Sequence, residues 1–124
     1  MFTVKIKETS KADLSKIELV KLKDTGNAIK LDTVLDGDEP LILAPTAYVV
    51  LDVHNDKANP QDYEQYMILD ESGQKFVTGS ASFWRSFISI WEELSDITGE
   101  WNLEIYKKDS KNYAGKKFIS CSVL

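Results

Sequence analysis

The end of the chain combines aromatic rings with lysines. Tyr106 and Lys108 lie two residues apart, and Phe118 follows a further group of lysines. Unpaired bases stack on flat aromatic rings and phosphates attract ammonium groups, so this combination is typical of surfaces that hold single-stranded nucleic acid without reading its sequence. Residues 105–118 are therefore a candidate site for single-stranded DNA, and the alternative is a solvent-facing hairpin whose aromatic side chains cover a dimer contact.

Two predicted strands, which form a hairpin, present these side chains. Apolar residues alternate along 101–108 and again along 116–123, at the period of two typical of half-buried strands. Tyr106 and Phe118 fall on the outward positions of that alternation. The loop between the strands adds further rings and cations. The DNA-binding residues predicted on this hairpin are Tyr106, Lys108, Lys111, Tyr113, Lys116 and Phe118.

The central hairpin, residues 63–78, carries a second group of aromatic side chains. Tyr66 and Ile68 share one face of its first strand, while Tyr63 lies on the other face. One of the two faces must be core, so at least half of the rings are expected to be structural. We add Tyr66, Phe76 and Lys75 to the predicted DNA-binding residues. The helical rings Phe83, Trp84, Phe87 and Trp91, and Tyr48, are predicted to be core.

Residues suited to catalysis are sparse. Asp52, His54 and Asp56 would place two carboxylates and an imidazole on one strand face, a possible metal-ligand set. A strand end that runs into a polar loop explains the same three residues, and no second histidine completes a site. Cys121 alternates with apolar neighbours and is predicted to be buried. We predict no enzymatic activity, no metal site and no cofactor.

The charge distribution is uneven. The net charge is −5 and the isoelectric point is about 4.9, values that are unusual for a protein that binds a polyanion. Residues 1–30 hold seven lysines against four acidic residues, and 105–124 hold five lysines against one aspartate. Residues 31–104 hold three basic residues against fifteen acidic ones. Basic ends on an acidic body leave two interpretations open, namely a local phosphate-binding surface or lysine-rich edges that are simply solvated.

The order of predicted elements indicates a mainly β fold in one domain, residues 1–124. Strands are predicted at 2–7, 15–23, 46–53, 63–70 and 75–78, before the closing hairpin. From Phe83 to Leu94 the apolar spacing is helical, and Ser80 or Ser82 can cap this helix. The order fits an OB fold, a five-stranded Greek-key barrel with one α-helix between strands 3 and 4, here with an extra N-terminal strand. A small α+β sandwich is the alternative.

The compartment is also suggested by composition. There is one cysteine, too few for an intrachain disulfide, and no apolar run reaches the length of a signal peptide or a membrane span. We expect a cytoplasmic protein that has no contact with a membrane.

Three stretches resemble a known family. They are Lys21-Leu-Lys-Asp-Thr-Gly-Asn-Ala-Ile-Lys-Leu, Thr78-Gly-Ser-Ala-Ser-Phe and the segment from Lys107 to Ser122, in which Ser-Lys-Asn-Tyr-Ala-Gly-Lys is the most specific part. Together they are similar to the single-stranded-DNA-binding proteins of lactococcal and related Gram-positive phages and prophages. The resemblance covers most of residues 15–124.

That resemblance implies an OB fold, self-association and cooperative coating of DNA exposed in replication or recombination, inside the bacterial host cell. It also implies contact with replication or recombination proteins, and it places the binding groove on the same six hairpin residues. A different class of function stays open: a protein-interaction or structural assembly module that binds no nucleic acid.

Overall fold

The computed structural model describes residues 2–35, 39–109 and 117–124. Its strands and helices follow one another along the chain with short connections. The strands are β1 (Phe2–Thr9), β2 (Ile29–Lys30), β3 (Leu41–Leu43), β4 (Pro45–Asn55), β5 (Asp62–Asp70), β6 (Lys75–Thr78), β7 (Leu103–Asp109) and β8 (Lys117–Val123). The helices are α1 (Lys16–Lys23), α2 (Leu31–Val34) and α3 (Ala81–Leu94), and a 3₁₀ turn (Ser95–Ile97) follows α3.

The strands form two sheets that share one stretch of chain. The first sheet has the order β1-β4-β5-β6-β2, and the second has the order β3-β7-β8. Only Ala44 separates β3 from β4, so residues 41–55 run from the second sheet directly into the first. The prediction of a mainly β fold is confirmed. The described strands do not close into a barrel, because β2 pairs in parallel with the outer edge of β6.

The main core lies between the two sheets and α3. The buried rings of α3 are Phe83, Trp84, Phe87 and Trp91, as predicted. Trp84 stacks on Tyr66 of β5, with ring centroids 4.9 Å apart and planes at 15°. Ser80 caps the helix, since its Oγ accepts a hydrogen bond from the Phe83 amide at 3.2 Å. The predicted helix and the core position of its rings are therefore confirmed.

The prediction of a strand at 15–23 is wrong, because this segment forms α1. Ser15 and Glu18 make a reciprocal capping box: the Ser15 Oγ accepts from the Glu18 amide at 3.2 Å, and the Glu18 carboxylate accepts from the Ser15 amide at 3.3 Å. The helix packs Leu22 onto the five-stranded sheet, on the face opposite α3. Val49, Leu51 and Met67 of this sheet face are fully buried in the same apolar cluster. The five-stranded sheet is thus covered on both faces.

Candidate functional site

The three-stranded sheet buries one face and exposes the other. Leu103, Ile105 and Ile119 point into the core and are almost completely buried. Residues directly opposite each other in an antiparallel pair project from the same face, and Ile42 of β3 lies opposite Glu104 of β7. We name the outward surface the hairpin face and define it by Ile42, Glu104, Tyr106, Lys108, Phe118, Ser120 and Ser122.

Three of the predicted residues meet on the hairpin face. Phe118, which is 39% exposed, lies directly opposite Lys108, which is exposed as well. Tyr106 lies one pair further along, opposite Ser120, and is partly buried. A hydrogen bond of 2.8 Å joins its Oη to the Oγ of Ser122. This bond orients the tyrosine ring along the sheet.

The other described lysines of β7 and β8, Lys107 and Lys117, do not lie on the hairpin face. Lys107 lies on the opposite side of β7, and its Nζ donates a hydrogen bond of 3.3 Å to the Asp32 carbonyl in α2. Lys117 is exposed at the start of β8. Glu104 is the acidic member of the hairpin face, so the positive charge of the face is concentrated at the end where Lys108 and Phe118 lie. The predicted residues Lys111, Tyr113 and Lys116 lie outside the described residues.

The central hairpin does not contribute to this surface. Tyr66 is 9% exposed, stacks on Trp84, and its Oη donates to the Glu64 carboxylate at 3.1 Å. Burial, and next the hydrogen bond to Glu64, raise the pKa of the Tyr66 phenol. Phe76 is also buried, at 5% exposure. Since both rings pack in the core, neither offers a face on which a base could stack, and we do not carry them into the site.

Lys75, predicted as a phosphate contact, is occupied elsewhere. Its Nζ donates to the carbonyls of Lys21 and Asp24 at the end of α1, the latter at 2.7 Å. A cation at a helix C-terminus satisfies carbonyls that have no partner within the helix. Lys75 therefore anchors α1 to β6, on the sheet face away from the main core.

A polar cluster lies where β4 meets β5. The Nδ1 of His54 is 2.7 Å from the Asp62 carboxylate, and its Nε2 is 2.6 Å from the Asp56 carboxylate. These two hydrogen bonds, that to Asp62 first, raise the pKa of the imidazole. Asp52 lies instead across from Lys5 and Glu64 on the neighbouring strands. Within the described ranges, no three His, Cys, Asp or Glu side chains are arranged to hold a metal ion.

Ile42 is the apolar residue of the hairpin face that was not predicted from the sequence. It is 52% exposed and lies on a strand of three residues. The apolar run Leu41-Ile42-Leu43 is the signal that could have found this strand, since its first and third residues point inward and its second outward.

In the part of the chain that is described, no helix is both long and apolar enough to cross a membrane. Comparisons of the chain with models of protein families, with curated proteins and with solved structures give no match.

Proposed function

We propose that this protein binds single-stranded DNA without sequence preference, through the hairpin face, and that it belongs with the phage and prophage proteins that protect DNA during replication or recombination. The observation that carries the proposal is the cross-strand pair of Phe118 and Lys108, an exposed aromatic residue directly opposite an exposed lysine. Tyr106 supplies a second ring on the same face. The exposure of Ile42, Lys108 and Phe118 supports access of unstacked bases to this face.

The energy of such a contact comes from two sources. Stacking of a base on an aromatic side chain contributes about 1–3 kcal/mol, and each phosphate neutralised by a cation makes the affinity more dependent on salt. The acidic middle of the chain, residues 31–104, repels DNA from the surface that it forms. Binding confined to the basic end is therefore expected to be weak at high salt and much stronger at low salt.

An OB-type arrangement is the finer fold that we propose. In the segment 41–55, residues 41–43 pair with β7 and residues 45–54 pair with β5, and α3 follows β6 and precedes β7 along the chain. These pairings support an OB fold with its helix between the third and fourth strands, in which the pairing of β6 with β8 that would close the barrel is not formed among the described strands. In this interpretation β1 and β2 are additions that occupy the outer edges of β4 and β6.

The test is fluorescence anisotropy with a labelled oligo-dT and with a duplex of equal length, from about 50 to about 300 mM salt. Phe118→Ala is expected to weaken binding to the single strand by roughly 5- to 150-fold, the equivalent of the stacking energy of one base. The matched control is Tyr63→Ala, because Tyr63 is 38% exposed and lies on the other sheet. The control is expected to bind within about twofold of the parent, a change too small to count as the loss of a contact.

A second pair of variants tests the contribution of the Lys108 charge to binding. Lys108→Gln is expected to reduce the slope of log affinity against log salt by about 0.7, the value for one phosphate on a single strand. Lys5→Gln, an exposed lysine of β1, is expected to leave the slope unchanged. If Tyr63→Ala and Phe118→Ala lose the same affinity for the single strand, the hairpin face is not the binding site. If the parent binds no single strand at about 50 mM salt, the proposed function is refuted.

The alternative function is a protein-interaction or assembly module. The exposed apolar side chains of Ile42, Val123 and Leu124, all on or next to the three-stranded sheet, favour it. The same titration separates the two functions, since a purely protein-binding module would bind neither the single strand nor the duplex.

A further inference from the structure

Strand β1 leaves one edge of the five-stranded sheet open. Among the described strands it pairs with β4 alone, and its register is regular from Phe2 to Ile6, before an irregularity ahead of Glu8. The backbone N–H and C=O groups on the outer side of these residues therefore have no strand partner in the described chain. Such an edge can accept one more strand from an extended polypeptide.

A small cavity lies at this edge, between β1 and α1. Its volume is about 250 Å³, and it is lined by Lys5 and Ile6 of β1 and by Leu19 and Lys23 of α1. Successive strand residues project to opposite sides of a sheet, so a cavity that contacts both Lys5 and Ile6 lies at the rim of the sheet. Leu19 and Lys23 are partly buried and lie one helical turn apart, so they form the other wall. We name these four residues the β1 groove.

The β1 groove combines apolar side chains with positive charge. Ile6 and Leu19 supply the apolar part, while Lys5 and Lys23 supply ammonium groups. Lys16 is exposed on the same side of α1, three residues before Leu19. Within the described ranges, none of these three lysines forms an ion pair or a side-chain hydrogen bond. A ligand that complements the groove therefore carries both negative charge and apolar surface.

We propose that the β1 groove binds an extended acidic segment of another protein, which adds a strand to the edge of β1 and places one apolar side chain in the cavity, with its carboxylates near Lys5, Lys16 and Lys23. Strand addition requires a polypeptide backbone, which DNA lacks. The cavity is smaller than the about 300–1,000 Å³ of pockets for drug-sized ligands and suits a single side chain. A second copy of this chain fits less well, because two β1 edges would bring the lysines of both copies together, where they repel each other.

The test uses a fluorescein-labelled peptide of about eight residues, with aspartates on both sides of a central Val-Leu-Val. Fluorescence anisotropy with the full chain at about 50 mM salt is expected to give a dissociation constant below about 200 µM, and a weaker one at about 300 mM salt. Two control peptides are expected to bind at least about tenfold more weakly: one with lysines in place of the aspartates, and one with prolines in its centre, which block strand pairing.

Paired variants of α1 locate the binding site. Leu19→Asp places a charge in the cavity wall and is expected to weaken peptide binding at least about tenfold, whereas Val20→Asp, at an exposed position outside the groove, is expected to stay within about threefold. Lys23→Glu is expected to weaken binding about fivefold more than Lys21→Glu, an exposed lysine that does not line the cavity. Circular dichroism verifies that the variants are folded, and the lysine pair tests the groove even if Leu19→Asp is not.

Amide hydrogen exchange distinguishes strand addition from contact through side chains alone. The bound peptide is expected to slow exchange in residues 2–6 at least about fivefold and to leave exchange in β8 unchanged. Since β8 belongs to the hairpin face and to the other sheet, it is the internal control.

The proposal is overturned by an acidic peptide whose dissociation constant exceeds about 200 µM, by equal losses in Lys23→Glu and Lys21→Glu, or by binding that leaves exchange in β1 unchanged. Protection of β1 that grows with protein concentration and resists the peptide would assign the edge to a second copy instead. Displacement of the peptide by oligo-dT would assign the lysines to DNA. A chain that binds the peptide but no oligo-dT would refute the proposed DNA binding and leave the β1 groove in place.

Discussion

Truncation of Leu22 and of Val20 should have very different costs. The two residues are two positions apart, and in a strand they would share a face. In α1, Leu22 is 5% exposed against the five-stranded sheet, whereas Val20 is 63% exposed. Truncation of a buried leucine to alanine costs about 2–5 kcal/mol, and a short helix on the outside of a sheet can relax, so we expect about 2–3 kcal/mol for Leu22→Ala. A change at an exposed position stays within about 0.5 kcal/mol, which we expect for Val20→Ala.

Urea unfolding followed by tryptophan fluorescence measures this difference, at a concentration of about 1 µM, where self-association has little influence. Leu22→Ala should lower the urea midpoint by roughly 1–2 M with an unchanged slope, and Val20→Ala should leave the midpoint near that of the parent. Ile17→Ala is the second exposed control, at 69% exposure. Equal losses for Leu22→Ala and Val20→Ala would refute the helical assignment, and no loss for Leu22→Ala would refute the packing of α1 on the sheet.

Three further predictions concern single side chains. His54, the only histidine, should titrate by NMR above its ordinary value of about 6.5, and Asp62→Asn should lower this pKa more than Asp56→Asn does. Because the pKa of His54 is raised in the folded state, the stability that its imidazole contributes is complete below about pH 6.5 and is lost as the pH rises through the raised value. A measured His54 pKa at or below the ordinary value would contradict the two hydrogen bonds. Tyr66→Phe should cost at most about 1 kcal/mol in urea unfolding and leave oligo-dT binding unchanged, whereas a clear loss of affinity would return Tyr66 to the site. Burial raises the pKa of the Cys121 thiol to about 11, so alkylation at pH 8 should be slow in the folded protein and fast in urea, and equal rates would show that the thiol is exposed.

The outward direction of the hairpin side chains could be predicted from sequence. Leu103 and Ile105 fall on one face of β7 and Tyr106 falls on the other, so only the face of Leu103 and Ile105 is expected to be core. On β8, the face of Ile119 is expected to be core for the same reason. The position of Phe118 beside Lys108 then follows from the register of a hairpin.

The position of Tyr66 could not be predicted in the same way. Alternation along β5 separates its two faces but does not say which of them meets solvent. Here α3 covers the face of Tyr66 and α1 covers the face of Met67, so both are buried. The number of covering layers is a tertiary property, and no window of a few residues contains it.

Helix α1 shows a second limit. Its apolar residues Ile17, Leu19, Val20 and Leu22 fit neither a period of two nor a clean helical stripe, because the helix buries one side and exposes apolar residues on the other. The local signal that decides the conformation is the serine at position 15 with a glutamate three residues later, the pattern of a capping box. Capping chemistry therefore carried more information here than hydrophobic periodicity.

The continuous segment 41–55 has a consequence for the fidelity of folding. Side chains alternate between faces at every residue, so a slip of one position turns inward residues outward. Because β3 and β4 belong to different sheets but to one stretch of chain, a slip would turn Leu43 out of the core in one sheet and move Val50 out of the main core to the α1 side of the other. An error of register is thus penalised in both sheets unless the irregular pairing between Pro45 and Ala47 absorbs it.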